Sequence, residues 1–402
     1  MSQSLKHAIV GGKIILENEI LHDHVLVFTE TINELVSKEE FVNRLETSSV
    51  DLYDITEFNG YISPGFIDIH IHGAGGSDTM DASIESLKTI SNRLIESGTT
   101  AYLATTMTME QEKIEEALKT VRNYMTRQMT DDFAGSHIVG VHLEGPFISP
   151  AFKGAQDSKN IQIPTSKWIK PYFDIIKIIT LAPEMDKDFK FIKEMKGAGL
   201  VLSMGHTGCD FETACSAYDA GVEHVTHCFN AMTGLHHRNP GAVGATFAKP
   251  FTAEIITDGV HVHPGFFETF IKIKSTEKVI LVTDAMRASF LGDGKYDLGG
   301  QEVNVLNGAP RLSDGTIAGS VHRMDTALKN VKEHTQYEVY EIIKMLSLNP
   351  AKRIGLDHEM GSIEKGKLSN LVLLTDEFNV QSVFIKGRKK YDVNNEPSGG
   401  KQ

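Results

Sequence analysis

Cysteine is scarce in this chain: three residues in 402, Cys209, Cys215 and Cys228. Three thiols make neither a disulfide framework nor a Cys-x-x-Cys knuckle, which suits a reducing compartment, and packing is the plain reading of each. Positive charge is short as well. Forty Lys and Arg stand against 53 Asp and Glu, a formal net charge of −13, so the basic face that nucleic acid or an anionic membrane requires is not expected. An anionic substrate would need local positive contacts. No run approaches the roughly 20 apolar residues of a membrane span, and the opening MSQSLKHAIVGGKIILENEI has no signal-peptide core. The expectation is a cytoplasmic protein. Nucleotide and serine-hydrolase signatures are also missing: Gly73-Ala74-Gly75-Gly76 lacks G-x-G-x-x-G spacing, and neither a P-loop nor a G-x-S-x-G elbow occurs.

What is present is a globular composition, 41% hydrophobic and 23% charged, in a chain long enough for one large domain plus a small one. Residues 1–60 hold short β-branched runs (Ala8-Ile9-Val10, Lys13 to Leu16, His24 to Phe28), and a similar texture returns at Asn370 to Leu374 and Ser382 to Ile385. Neither end can bury a core alone. The two are expected to pair into one small β-sandwich built from 1–60 and 355–395, with NNEPSGGKQ as a frayed tail.

Between them, residues 61–354 alternate apolar β runs with amphipathic helices. Ile84, Leu87, Ile90 and Leu94 form one stripe that stops at Gly98, and Ile114, Leu118, Val121 and Met125 form the next. Strands are predicted at 62–72, 100–105, 138–144, 176–181, 200–206, 224–228, 253–257 and 279–284. Eight strands alternating with helix-length segments match a (β/α)8 TIM barrel of about 250 residues better than an open doubly wound sheet.

Polar residues gather at the strands' carboxyl ends, where such barrels keep their active sites. His70 and His72 share one face of the first strand, because strand side chains alternate with period two. Glu144 ends the third, His206 the fifth, His227 the sixth and Asp284 the eighth. Four imidazoles and two carboxylates form a ligand set for a divalent metal; zinc, iron, manganese and cobalt all suit it. Asp284 could take the proton of an attacking water and pass it to a leaving nitrogen. Plainer readings go to His142, a packed neighbour of Glu144; to His224, a capping or exposed residue; and to His322 and His358, surface residues. Glu184, after the strand that ends Leu181-Ala182-Pro183, could be a carboxylate supporting the ligands from outside, but it is not counted among the site residues.

In the order SPGFIDIHIHG, HLEGPFIS, MGHTG, HCFNAMTGLHHRNPG, TDGVHV, LVTDAM and GTIAGS, the chain resembles the amidohydrolase superfamily and, within it, the N-acetylglucosamine-6-phosphate deacetylases. The resemblance implies a metal-dependent hydrolase that splits N-acetylglucosamine 6-phosphate into glucosamine 6-phosphate and acetate. Glu144, His206 and His227 would form the core metal site, His70, His72 and Asp284 a second, and Asp284 would be the catalytic acid/base. Ala155, Gln156, Asn230, Ala231, His261 and Ile317, Ala318 and Gly319 would contact the sugar, while Arg238 would reach the phosphate across a homodimer interface. Some members carry Gln-x-Asn where this chain has His70-x-His72 and hold one metal, so one or two cations per subunit stay open. Two rivals also stay open: a superfamily relative acting on a cyclic amide or an N-acyl amino acid, and a non-catalytic barrel scaffold.

Overall fold

The computed structural model describes residues 6–45, 50–130 and 133–395; residues 396–402 of the expected tail lie outside them. Eight parallel strands form one sheet in sequential order: Phe66–Ile71 (β1), Thr99–Thr105 (β2), His137–Glu144 (β3), Ile176–Leu181 (β4), Val201–Met204 (β5), Val222–Val225 (β6), Thr252–Ile256 (β7) and Val279–Val282 (β8). The sheet closes where β8 meets β1. There the Asp284 amide donates to His70 O at 2.9 Å and the His72 amide donates to Ala285 O at 2.9 Å. Below this seam, buried Asp68 accepts from Thr283 Oγ1 at 2.5 Å and from the His70 amide at 3.2 Å.

The helices follow their stripes. Helix α1 (Ile84–Leu94) is capped by Ser83, whose hydroxyl accepts from the Ser86 amide, and buries Leu87, Ile90 and Leu94. Its run ends at Gly98, which takes the left-handed turn (φ +79°) that a side chain would resist. Helix α2 (Gln111–Arg127) buries Ile114, Leu118 and Val121 against the same core. Side chains from several strands meet inside the barrel: Thr180 Oγ1 on β4 lies 2.7 Å from Thr226 Oγ1 beyond non-adjacent β6 and 2.6 Å from His142 Nε2 on neighbouring β3. A hydrogen-bonded polar layer therefore underlies the strands' carboxyl ends.

Two further sheets involve the chain ends, the first built from amino-terminal strands alone and the second from both ends. One has the order Ile32–Ser37, His24–Phe28, Lys6–Val10, Val50–Asp54; the other runs Arg388–Asp392, Val380–Ile385, Leu371–Leu374, Tyr61–Pro64, Lys13–Ile15, Ile20–Leu21. They share a core in which Ile9, Leu26 and Phe28 of the first meet Ile14, Ile62, Leu371 and Phe384 of the second, and the Phe28 and Phe384 rings pack edge to face at 5.6 Å. The run read as one strand over 62–72 is in fact two. Tyr61–Pro64 pairs with Leu371–Leu374, and after Gly65 the chain enters β1. A Cβ on Gly65 would come 2.2 Å from Thr100 Oγ1, so only glycine fits the crossing.

Candidate metal centre and active site

The six residues predicted as ligands converge. Glu144 Oε1 lies 3.1 Å from His206 Nε2 and 3.2 Å from His227 Nε2, and those two nitrogens are 3.1 Å apart. His72 Nε2 is 3.3 Å from both Glu144 Oε2 and Asp284 Oδ1, and His70 Nε2 is 3.4 Å from Glu144 Oε1 and from Asp284 Oδ1. Two buried groups result, Glu144/His206/His227 and His70/His72/Asp284, each with its ligand atoms within 4.8 Å of one another. Glu144 borders both. His70 Nε2 is buried without a hydrogen-bond partner, a cost that a cation would remove. Imidazole and carboxylate donors at these separations fit zinc or another divalent transition ion.

Local backbone geometry turns these side chains inward. His206, His227 and Asp284 have φ of +47°, +26° and +48°, a region that costs non-glycine residues of order 1–3 kcal/mol and persists only where its surroundings hold it. The restraints are visible. His206 Nδ1 lies 3.0 Å from Phe152 O, and Glu184 accepts from Thr207 Oγ1 at 2.5 Å and from the Gly208 amide at 2.6 Å. Glu184 thus anchors the turn just after His206. The His227 amide donates to Glu254 Oε2 at 3.0 Å, and Asp284 O accepts from the Ser320 amide at 2.8 Å.

Charge follows from burial and neighbours. Burial opposes ionisation of Glu144, yet His70 and His206 hold its pKa well below the usual carboxylate range. Asp284 is lowered in the same way, against burial, by His70 and His72. Burial likewise disfavours a charged His72, but hydrogen bonds to Asp284 and Glu144 raise it to about 10. Ligation of a cation by such a ring requires release of its proton. His142 behaves differently: burial and the neighbouring His70 push it down to about 3.

A cavity of about 360 Å³ opens beside the centre. Its wall includes Glu144, His206, His227 and Asp284 together with Ala155, Gln156, Asn230, Ala231, His261, Ile317 and Gly319. Gln156 Nε2 donates to Glu144 Oε2 at 3.0 Å while its Oε1 accepts from the Thr108 amide at 2.8 Å. His261 Nδ1 lies 2.7 Å from Asp258 Oδ2. Burial works against protonating His261, but Asp258 raises its pKa overall. Two predicted residues stand apart. Ala318 packs behind the wall with Met107, Ala155 and Met286, and exposed Arg238 sits on a loop with Nη1 2.7 Å from His237 Nε2.

The amidohydrolase family model matches residues 61–390. The chain belongs to the amidohydrolase family. It is 37% identical over 384 residues to N-acetylglucosamine-6-phosphate deacetylase of Bacillus subtilis (strain 168), an alignment covering 93% of this chain and 94% of that one. N-acetylgalactosamine-6-phosphate deacetylase of Escherichia coli O157:H7 is 32% identical, covering 96% of this chain and 99% of that one. The crystal structure of N-acetylglucosamine-6-phosphate deacetylase from Pasteurella multocida matches with a TM-score of 0.90 at 29% identity, over 96% of this chain and 100% of that one.

Several residues of this amidohydrolase site were not legible as such. Glu254 on β7 is fully buried and bonded to His70, yet it reads as one polar residue in an apolar run. Leu298, on a strand that follows β8, also lines the cavity. His224, expected as a cap or exposed, is buried with Nε2 3.1 Å from Glu254 Oε1. His322, expected at the surface, is buried with Nδ1 3.1 Å from Thr326 Oγ1. His224 is met by a partner on the next strand, and His322 by Thr326 one helical turn on and by Thr257 Oγ1 at 3.4 Å, so both are buried with hydrogen-bond partners. His358 is exposed and His142 is packed, as expected.

Proposed function

We propose that this amidohydrolase cleaves the acetamide of N-acetylglucosamine 6-phosphate, yielding glucosamine 6-phosphate and acetate, in amino-sugar catabolism or cell-wall recycling. The observation that carries the reading is the double position of Asp284: it touches His70 and His72 and also forms part of the cavity wall. One divalent cation per subunit would be held by Glu144, His206 and His227, and a second by His70, His72 and Asp284; zinc, iron, manganese and cobalt suit both. Such a cation, when bound, brings the pKa of water towards neutrality and polarises an amide carbonyl.

The chain's own residues do the rest. Asp284, kept ionised, accepts a proton from the attacking water and delivers it to the nitrogen as the C–N bond breaks, so the amine leaves neutral. His261, its Nδ1 tied to Asp258, presents its other nitrogen to the acetyl carbonyl or a sugar hydroxyl. Ala155, Gln156, Asn230, Ala231 and Ile317 to Gly319 orient the sugar. In our reading Arg238 takes the phosphate of a neighbouring subunit's substrate in a homodimer, supported by its exposure beside Leu235, an apolar side chain 58% exposed. No helix among the described residues is long and apolar enough to cross a membrane, and we read the enzyme as cytoplasmic.

The test is acetate release from N-acetylglucosamine 6-phosphate, its galacto epimer and unphosphorylated N-acetylglucosamine, with metal counted per chain. The gluco phosphate is expected to be preferred over the free sugar by about 100-fold in kcat/KM, the scale of a lost charged contact. Faster turnover of the galacto epimer would move the substrate to that of the E. coli relative. No release from either phosphorylated sugar by metal-loaded protein would overturn the assignment.

A further inference from the structure

One buried carboxylate bears on both ligand groups without belonging to either. Glu254 lies within β7, fully buried. Its Oε2 accepts from His70 Nδ1 at 2.8 Å and from the His227 amide at 3.0 Å. Its Oε1 lies 3.1 Å from His224 Nε2, and His224 Nδ1 is itself 2.7 Å from Thr252 Oγ1. A carboxylate this deep persists only when its oxygens are met by donors, and here each one is.

Two consequences follow for the ligands. With a carboxylate oxygen 2.8 Å from Nδ1, His70 must carry its proton there, because the other tautomer would set two lone pairs face to face. That leaves Nε2, the atom 3.4 Å from Glu144 and Asp284, free as a donor to a cation. On the other side, the bond to the His227 amide pins a residue whose φ of +26° its own backbone resists. His227 belongs to the first group and His70 to the second.

We propose that Glu254 is a positioning residue that ties the two halves of the metal centre together: it sets the tautomer of His70 and the backbone of His227, so that occupancy of the His70/His72/Asp284 position depends on it. The inference rests on the metal-centre reading above. It assigns a task to this chain's own β7 and requires no knowledge of the substrate.

The experiment is a titration of the chelated full-length protein with zinc and with cobalt, reading stoichiometry, affinity and the visible spectrum of bound cobalt. Wild type is expected to take two cations. Glu254→Gln, which keeps the shape and loses the charge, should bind the weaker cation about 10–100-fold less tightly and shift the cobalt spectrum. His224→Gln removes the third partner of Glu254 and leaves His70 and His227 bonded, so it should titrate within a few-fold of wild type. A merely structural role would lower both variants alike. Should Glu254→Gln fail to fold, Glu254→Asp withdraws the oxygens from His70 and His227 while keeping the charge, and the same weakening is expected. Wild-type affinities and spectrum in the Glu254 variants, or a wild type that binds only one cation, overturn the inference. The outcomes separate from those of the deacetylase assay: a protein that binds two cations but releases no acetate loses its proposed substrate and keeps Glu254, whereas an active enzyme whose Glu254→Gln variant titrates normally does the reverse.

Discussion

The two ligand groups are built by different means. Glu144, His206 and His227 come from three strands, and two of the three sit at positive φ in turns held by Glu184 and Glu254. His70 on β1 and His72 just past its end come from one segment and meet Asp284 because β8 closes on β1. The first group depends chiefly on local turns, and the second on closure of the barrel together with the turn at Asp284 (φ +48°). A change in a turn should therefore injure one group, and a change at the seam the other.

Glu144 is the exception that borders both, so Glu144→Ala should have the largest effect: loss of bound metal and at least about 10³-fold lower activity, read by metal analysis and acetate release. Asp284→Asn should come next, cutting kcat by about 10²–10⁴-fold, the range of general acid–base catalysis, while metal at the first group is retained. His72→Asn should be milder and selective, lowering the metal count by one; loss of both cations would contradict separate construction. At the seam, Thr283→Val strands the buried Asp68 carboxylate without its 2.5 Å hydroxyl donor, which should cost about 1–3 kcal/mol in urea unfolding and weaken only the second cation. Its counterpart in the turn after His206, Glu184→Gln, should weaken only the first.

The smallest effect is on pH dependence. In metal-free protein, burial disfavours a charged His72, but Asp284 and Glu144 raise its pKa to about 10. A raised histidine contributes stability that is fully present below its unfolded value near 6.5 and is lost as pH rises through the folded value. The urea midpoint of chelated protein should therefore fall between pH 7 and 10 more than that of metal-loaded protein, in which a cation has replaced the proton. Parallel pH profiles would show that His72 lies outside the ligand set.

The barrel and the candidate ligands that converge in it were legible because several of the apolar runs end in a residue that an apolar core does not want. His70, His72, Glu144, His206, His227 and Asp284 are all of this kind, and period two puts the first pair on one face. The crossing at Gly65 was not legible: an alternating apolar run looks the same whether it pairs with one sheet throughout or changes sheets midway. Nor was the pairing of His224 with Glu254, since a hydrogen bond between β6 and β7 leaves no mark on either segment alone, nor the reach of His322 to Thr257, 65 residues away. Glu184 could be noticed as a carboxylate at a strand's end, but its anchoring of Thr207 and Gly208 comes from folding and could not be read along the chain.

The crossing at Gly65 also bears on the order of assembly. Tyr61–Pro64, which leads directly into the strand bearing His70 and His72, is flanked in its sheet by Lys13–Ile15 and by Leu371–Leu374. The amino-terminal partner is available early in synthesis, but Leu371–Leu374 leaves the ribosome only after all eight barrel strands. Until then one edge of Tyr61–Pro64 is unpaired, and pairing across so long a stretch of chain is intrinsically slow. A nascent chain truncated before Leu371 would expose that edge just where the first histidines are set in register.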